Sequence, residues 1–368
     1  MRLVLIGPVY PFRGGIAHHT TELFKALALH HEVLIISFKR QYPKLLYPGV
    51  SDKDSTIKNP PISTEYILDP IKPWTWFKTI RCVINFSPDG VLFQWWNTFV
   101  GMAYYTILRS IKNENIPVII IVHNVYPHET LVFDKIISKK ILKLADIFIA
   151  QSHRELQKLK KILPYSIIQY CKHPAYDFFL ANCVDKNKAR DFFHLDKDSF
   201  VILFFGIIRP YKGLKYLLQA IKHLKDQNIN LTLLIAGEFW ENKQKYMHQI
   251  EQLNILDRVM VLDKYFPDEE VSMLFSAADV FVAPYISGTQ SGVVRIAVSF
   301  GLPIILSDVI KDSIEPQSNH IVVPTRCYIE IANAIKYYIA NKSETLPIPK
   351  LVSWDDLAIT IENSFQKL

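Results

Sequence analysis

Short apolar runs alternate along most of this chain with longer stretches in which apolar positions return every three or four residues. Residues 3–6 and 33–38 are runs of the first kind, and residues 16–29 between them carry the helical period, so the chain opens strand, helix, strand. Residues 40–73 are polar and proline-rich and predict an irregular excursion with short elements. Alternation resumes with strands at 90–94, 118–122, 147–150 and 166–170, separated by helices over 99–112, 134–144 and 154–162. A second series follows, with strands at 201–205, 231–236, 259–262, 280–283, 303–307 and 320–323. Its helices cover 214–225 and 244–253, and another starts near Gly292. Near the end, Ser353 stands ahead of Asp355 and Asp356 as the cap of an amphipathic helix.

Strands that are apolar on both faces and separated by helices imply parallel sheets covered on both sides. The fold class is α/β, with two Rossmann-like doubly wound domains. Residues 173–188 lose apolar periodicity, which puts the boundary there. The expected division is 1–180, 181–350, and a C-terminal helical segment, 351–368, packing back on the first domain. Open sheets of this kind bind ligands beyond the carboxyl ends of their strands. A cleft between two such edges is the expected site.

Composition narrows the function classes. A chain of 368 residues, 49% hydrophobic and 21% charged with 12 glycines, is ordered and long enough for two cores. Its four cysteines, Cys82, Cys171, Cys183 and Cys327, show no CxxC and no metal spacing, which argues against a disulfide framework or structural zinc and for a reducing cytoplasm. Pro8 and Pro11 interrupt the apolar start, so residues 3–6 read as a strand rather than a secretory signal, and no run reaches the length of a membrane span. A net charge of +7 favours anionic partners. No zinc finger, recognition motif or sustained basic stripe accompanies it, so nucleic acid is not expected.

Four loops carry candidate chemistry. After the first strand comes GPVYPFRGGIA, in which Gly14 and Gly15 lead into the first helix and allow close backbone approach to an anion at its N-terminus. Alone, the segment reads equally as a tight strand-to-helix turn. FFGIIRPYKG places Arg209 and Lys212 in the corresponding loop of the second domain, a guanidinium and an ammonium suited to a diphosphate, or a solvated surface pair. In APYISGTQSGVV, the side chains of Thr289, Gln290 and Ser291 and the amides of Ser291, Gly292 and Val293 border another helix start, read as an anion site or an ordinary capped helix. In VIIIVHN, His123 ends an apolar strand, as a cleft-facing imidazole or a structural one. His128 and Glu129 make half a metal site with no matching ligands.

Together GGIA, RPYKG, AADVFVAPY and FGLPIILSDV, in this order and spacing, resemble the family 4 retaining glycosyltransferases of GT-B fold, over nearly the whole chain. The resemblance implies that the first glycine loop and the Arg209/Lys212 pair grip a donor diphosphate and that His123 contacts the donor sugar. It also implies front-face transfer without a metal or resident cofactor, the leaving phosphate taking the acceptor's proton. Expected partners are a UDP- or GDP-sugar and a glycan or lipid-linked acceptor, as in surface polysaccharide or glycolipid synthesis. The family's two glutamates, eight positions apart, correspond here to Gly288 and Ile296 in a GTQSG variant loop, which sets up a catalytically silent sugar-nucleotide-binding protein as the alternative. Lys135, Lys139, Lys140, Lys143, Lys158, Lys160 and Lys161, with Trp74, Trp76 and Phe77 beside Lys72, Lys78 and Arg81, suit peripheral binding to an anionic membrane at the inner face of the plasma membrane. They read equally as solvated helix faces and core aromatics.

Overall fold

In a computed structural model, the protein is described at residues 1–42, 51–54, 62–127, 132–288, 290–341 and 351–368, without the side chain of residue 132. The chain divides into two compact units, Met1–Pro174 with Val352–Leu368, and Ala175–Leu351.

The first unit is built on seven strands: β1 Arg2–Ile6, β2 Glu32–Phe38, β3 Glu65–Leu68, β4 Gly90–Trp95, β5 Val118–Val122, β6 Ile147–Ala150 and β7 Ile167–Tyr170. They form one parallel sheet in the order β3-β2-β1-β4-β5-β6-β7. Strands β4, β5 and β6 are buried throughout, as a sheet covered on both faces requires. The covering helices are α1 Gly15–Ala28, α2 Pro73–Phe86, α3 Gly101–Asn113, α4 Val132–Leu142 and α5 His153–Ile162. The strand order reverses between β1 and β4, which is where an open sheet leaves a crevice at its carboxyl edge.

The second unit repeats the design. Strands β8 Phe200–Phe205, β9 Leu231–Ala236, β10 Val259–Leu262, β11 Val280–Ala283, β12 Ile304–Ser307 and β13 His320–Val323 pair in parallel in the order β10-β9-β8-β11-β12-β13. Helices α6 Lys186–Phe192, α7 Leu214–Lys225, α8 Lys243–Gln252, α9 Asp268–Ala277, α10 Gly292–Ser299 and α11 Tyr328–Ala340 flank the sheet. Here the order reverses between β8 and β11.

The last helix, α12 Trp354–Phe365, belongs to the first unit. Ser353 and Asp356 close a capping box at its start, and at its far end the Phe365 ring lies so close to Gly90 that a Cβ there would meet it at 2.2 Å. Residues 175–180 lie in the second unit rather than the first, because Ser272 on α9 donates to the Phe179 carbonyl at 2.7 Å and holds that segment down.

Strand β3 and helices α2, α6, α9 and α11 are absent from the predicted elements. In α2 the exposed apolar residues Trp74, Phe77 and Ile84 blur the period of the buried face formed by Trp76, Ile80 and Val83. Of the two readings of Trp76, a membrane-facing or a core aromatic, the core one holds. Its ring is buried and its Nε1 donates to the Asp69 carbonyl at 2.8 Å.

Candidate functional site

In the second unit the chemistry gathers where β8 ends. Gly206 follows the strand with φ of 101°, a left-handed conformation natural to glycine. A Cβ at Gly206 would stand 2.7 Å from Lys212 Nζ and 3.3 Å from Val293 Cγ2. The loop after β8 and the start of α10 therefore meet around this glycine. Lys212 is carried by a short 3-10 turn, Pro210–Lys212, and is almost completely buried, its ammonium donating to the Phe205 carbonyl at 3.4 Å. Burial lowers its pKa, since removing water penalises the charged form. Its Nζ lies 5.5 Å from the centre of the Tyr285 ring, whose phenol burial pushes up to about 12. Arg209 precedes that turn, half-buried, with its guanidinium 5.9 Å from the centre of the Trp240 ring. Gly213, at φ of 72°, ends the turn and lets α7 begin against the Pro284 carbonyl, 2.0 Å from where a Cβ would stand.

The start of α10 is held from three sides. Ser291 Oγ accepts from the Val294 amide at 3.4 Å, the Ser291 amide donates to Ser313 Oγ at 2.8 Å, and Tyr285 Oη lies 3.2 Å from Ser291 Oγ. Gly292 packs on the Tyr176 ring, 3.2 Å from where a Cβ would stand. Gly292 and Val293 occupy the first turn, where a helix supplies no acceptor for its amides and its dipole favours negative charge. Gln290 is half-buried just before it, and Thr289 lies outside the described residues, as do His128 and Glu129. Gly288 has φ of 150°, and a Cβ on it would stand 3.0 Å from Ile310 Cγ2, so this backbone does not readily accept a glutamate.

In the first unit Gly14, at φ of 106°, caps α1, and Gly15 is its exposed first residue. One turn further, His19 is fully buried against His123, His173 and Trp354, with ring centres 4.6, 5.2 and 5.0 Å away. His123 Nε2 lies 2.6 Å from Gln94 Oε1, and Gln94 Nε2 lies 3.3 Å from His19 Nδ1. Burial lowers the pKa of both imidazoles, His123 to about 3 and His19 well below its usual range, and the neighbouring histidines add to the effect. Both imidazoles are thereby held neutral near physiological pH.

Sequence reasoning did not single out His19, Gln94, His173 or Trp354. Gln94 offered a signal, since it is the one strongly polar residue in the strand GVLFQW and is fully buried. It also missed Arg295, buried on α10, whose Nη1 donates to both carboxylate oxygens of Glu315 at 2.6 and 2.8 Å. Among the described residues no group of three His, Cys, Asp or Glu side chains is arranged to hold a metal ion.

Two parallel α/β sheets, with polar and glycine loops at both strand-order reversals, define a GT-B glycosyltransferase fold. The chain belongs to the group 1, family 4 glycosyltransferases: the model described as Glycosyltransferase Family 4 matches residues 13–167 and that described as Glycosyl transferases group 1 matches residues 199–341. Anabaena HepE, solved in complex with UDP and glucose, superposes with a TM-score of 0.77 over 100% of both chains at 15% identity, a likeness of fold. Among curated relatives, D-inositol 3-phosphate glycosyltransferase of Mycobacteroides abscessus is 26% identical over 172 residues, 46% of this chain and 39% of that protein. YtcC of Bacillus subtilis is 27% identical over 132 residues, 35% of this chain and 32% of its own. The matches thus span about a third to two fifths of these relatives' length.

Proposed function

We propose that the protein transfers a sugar from a nucleoside-diphosphate donor to a glycan or lipid-linked acceptor, with retention and without a metal. The observation that carries this reading is Lys212, a buried ammonium at the strand-order reversal of the second sheet, side by side with the first turn of α10. An ammonium with so little solvation is best satisfied by an anion, and Arg209 and the amides of Gly292 and Val293 supply further donors to a diphosphate. Such preorganised donors stabilise charge as it develops on a departing diphosphate. The phosphate oxygen freed by bond cleavage accepts the proton of the attacking hydroxyl, so the protein need not supply a carboxylate base. Gly14 and Gly15 offer a second backbone approach to the donor, and neutral His123 meets a sugar hydroxyl. That HepE was solved with UDP and glucose supports a UDP-sugar as the first donor to try.

Gly288 and Ile296 favour a second reading, a sugar-nucleotide-binding protein without turnover, because they stand where the family carries glutamates. A thermal-shift screen of UDP-, GDP- and ADP-sugars identifies the donor, since a ligand that binds the folded state raises its melting temperature. Release of the nucleoside diphosphate with acceptor-bearing membranes or glycans then separates the readings. Release supports transfer; binding without release supports the silent reading, and binding of none of these donors overturns both.

For the acceptor side we propose docking on an anionic bilayer through the first unit. Helix α2 packs on α3 and α3 on α4, and these helices expose Trp74, Phe77, Met102, Phe133 and Ile136. Lys72, Lys78, Arg81, Lys135, Lys139, Lys140 and Lys143 are exposed on or beside the same elements. Apolar side chains among lysines match the headgroup boundary, where each basic residue contributes about 1 kcal/mol. Among the described residues no helix is long and apolar enough to cross a membrane.

A further inference from the structure

Three fully buried polar side chains, His19, Gln94 and Gln151, lie behind His123 among apolar strands. Burying a carboxamide costs free energy unless its oxygen and nitrogen are both matched, so these groups must satisfy one another. The Gln94 carboxamide reaches both ways, with Oε1 2.6 Å from His123 Nε2 and Nε2 3.3 Å from His19 Nδ1. An amide oxygen only accepts and an amide NH2 only donates. The proton between His123 and Gln94 therefore sits on His123 Nε2, and His19 Nδ1 accepts from Gln94. A neutral His19 then carries its own proton on Nε2, which faces Gln151 at 2.6 Å. With its Nε2 toward His19, Gln151 would set a donor against that proton. Turning the carboxamide half a revolution makes the oxygen the acceptor and completes the relay.

We propose that Gln94 and His19 are positioning residues that hold His123 as the neutral Nε2–H tautomer, leaving Nδ1 to accept a hydrogen bond from a donor-sugar hydroxyl. The relay runs His123 to Gln94 to His19 to Gln151, each group donating to the next. It fixes the direction of the contact: a sugar hydroxyl donates to His123, and a ligand offering only an acceptor at that place is refused. The lowered basicity of both imidazoles suits this role, because protonating either ring would break the sequence of donors and acceptors. The assignment of the sugar as the partner of Nδ1 rests on the transferase reading above, whereas the tautomer itself does not.

The test is long-range nitrogen–proton correlation NMR on the full chain, deuterated and labelled with 15N-histidine, with His123 assigned from the spectrum of His123→Asn. The wild type is expected to show a protonated-type Nε2 and an unprotonated-type Nδ1. Gln94→Met removes the acceptor and should give averaged nitrogen shifts, with turnover down roughly tenfold, the worth of about one hydrogen bond. Gln94→Glu restores an acceptor for His123 and, at a pH high enough to keep the ring neutral beside the new carboxylate, should restore the Nε2–H signature. If Gln94→Met does not fold, His19→Phe keeps a ring in place, frees the carboxamide to turn and should likewise mix the tautomers. A His123 that is Nδ1-protonated in the wild type, or unchanged in both Gln94→Met and His19→Phe, overturns the proposal even if His123→Ala lowers turnover. The expected tautomers with unaltered turnover in His123→Ala would instead sustain the relay and remove the sugar contact.

Discussion

Lys212 holds its ammonium 2.7 Å from the position a Cβ would take on Gly206, so the side chain occupies space that only glycine leaves open. Gly206→Ala should displace the ammonium and strain the backbone at φ of 101°. Affinity for UDP is expected to fall about tenfold or more through the weakened charge contact. Calorimetric titration with UDP, alongside the melting temperature, measures both effects.

If Lys212 holds the donor diphosphate as proposed, its burial makes UDP binding proton-linked. In the free protein its pKa lies below the usual lysine value, and a diphosphate beside the ammonium raises it again. Binding should take up protons as the pH approaches the lowered pKa, and affinity should decline as the pH rises through it. Calorimetry at alkaline pH in two buffers of different ionisation enthalpy reads the uptake directly. It should vanish in Lys212→Met.

The buried histidines make the first unit acid-sensitive. His123 titrates near 3 and His19 also well below its usual value when folded, against about 6.5 in an unfolded chain. Between those values the unfolded state binds more protons, so stability falls as pH drops below about 6.5 and the His123 contribution is lost by about pH 3. Each imidazole contributes a slope of up to about 1.4 kcal/mol per pH unit within that window. Melting curves from neutral to acidic pH should show this loss, and the double variant His19→Gln, His123→Asn should flatten it.

The division between what the sequence disclosed and what it hid follows from where each signal resides. Loops at strand ends announce themselves through glycine, proline and cations beside apolar runs, so the loops that carry Gly14, Arg209, Lys212 and Ser291 were readable. His19 and Gln94 were not, because their partners come from different strands and helices, and a lone polar residue in an apolar run has no periodicity. Helix α11 escaped for the opposite reason, since YIEIANAIKYYIA is apolar nearly all round. The Arg295–Glu315 pair joins residues 20 apart in sequence, which only the fold of β12 and the following turn brings together.

Membrane docking predicts a salt-sensitive association. The protein should float with vesicles containing anionic lipid and release them as salt rises, because exposed charges are screened within about 10 Å at 0.1 M salt. Replacing Trp74, Phe77 and Phe133 with serine should weaken flotation without altering the turnover of a soluble acceptor. Flotation with neutral vesicles alone, or none at low salt, would contradict the account.

Most direct of all is the rate of nucleoside diphosphate release from the cognate sugar nucleotide by wild type and by the double variant Arg209→Ala, Lys212→Ala. Loss of charge-assisted contacts to the leaving diphosphate should slow the variant by on the order of 10²-fold or more while it remains folded. Turnover equal to wild type in that folded variant would show that the donor diphosphate is held elsewhere.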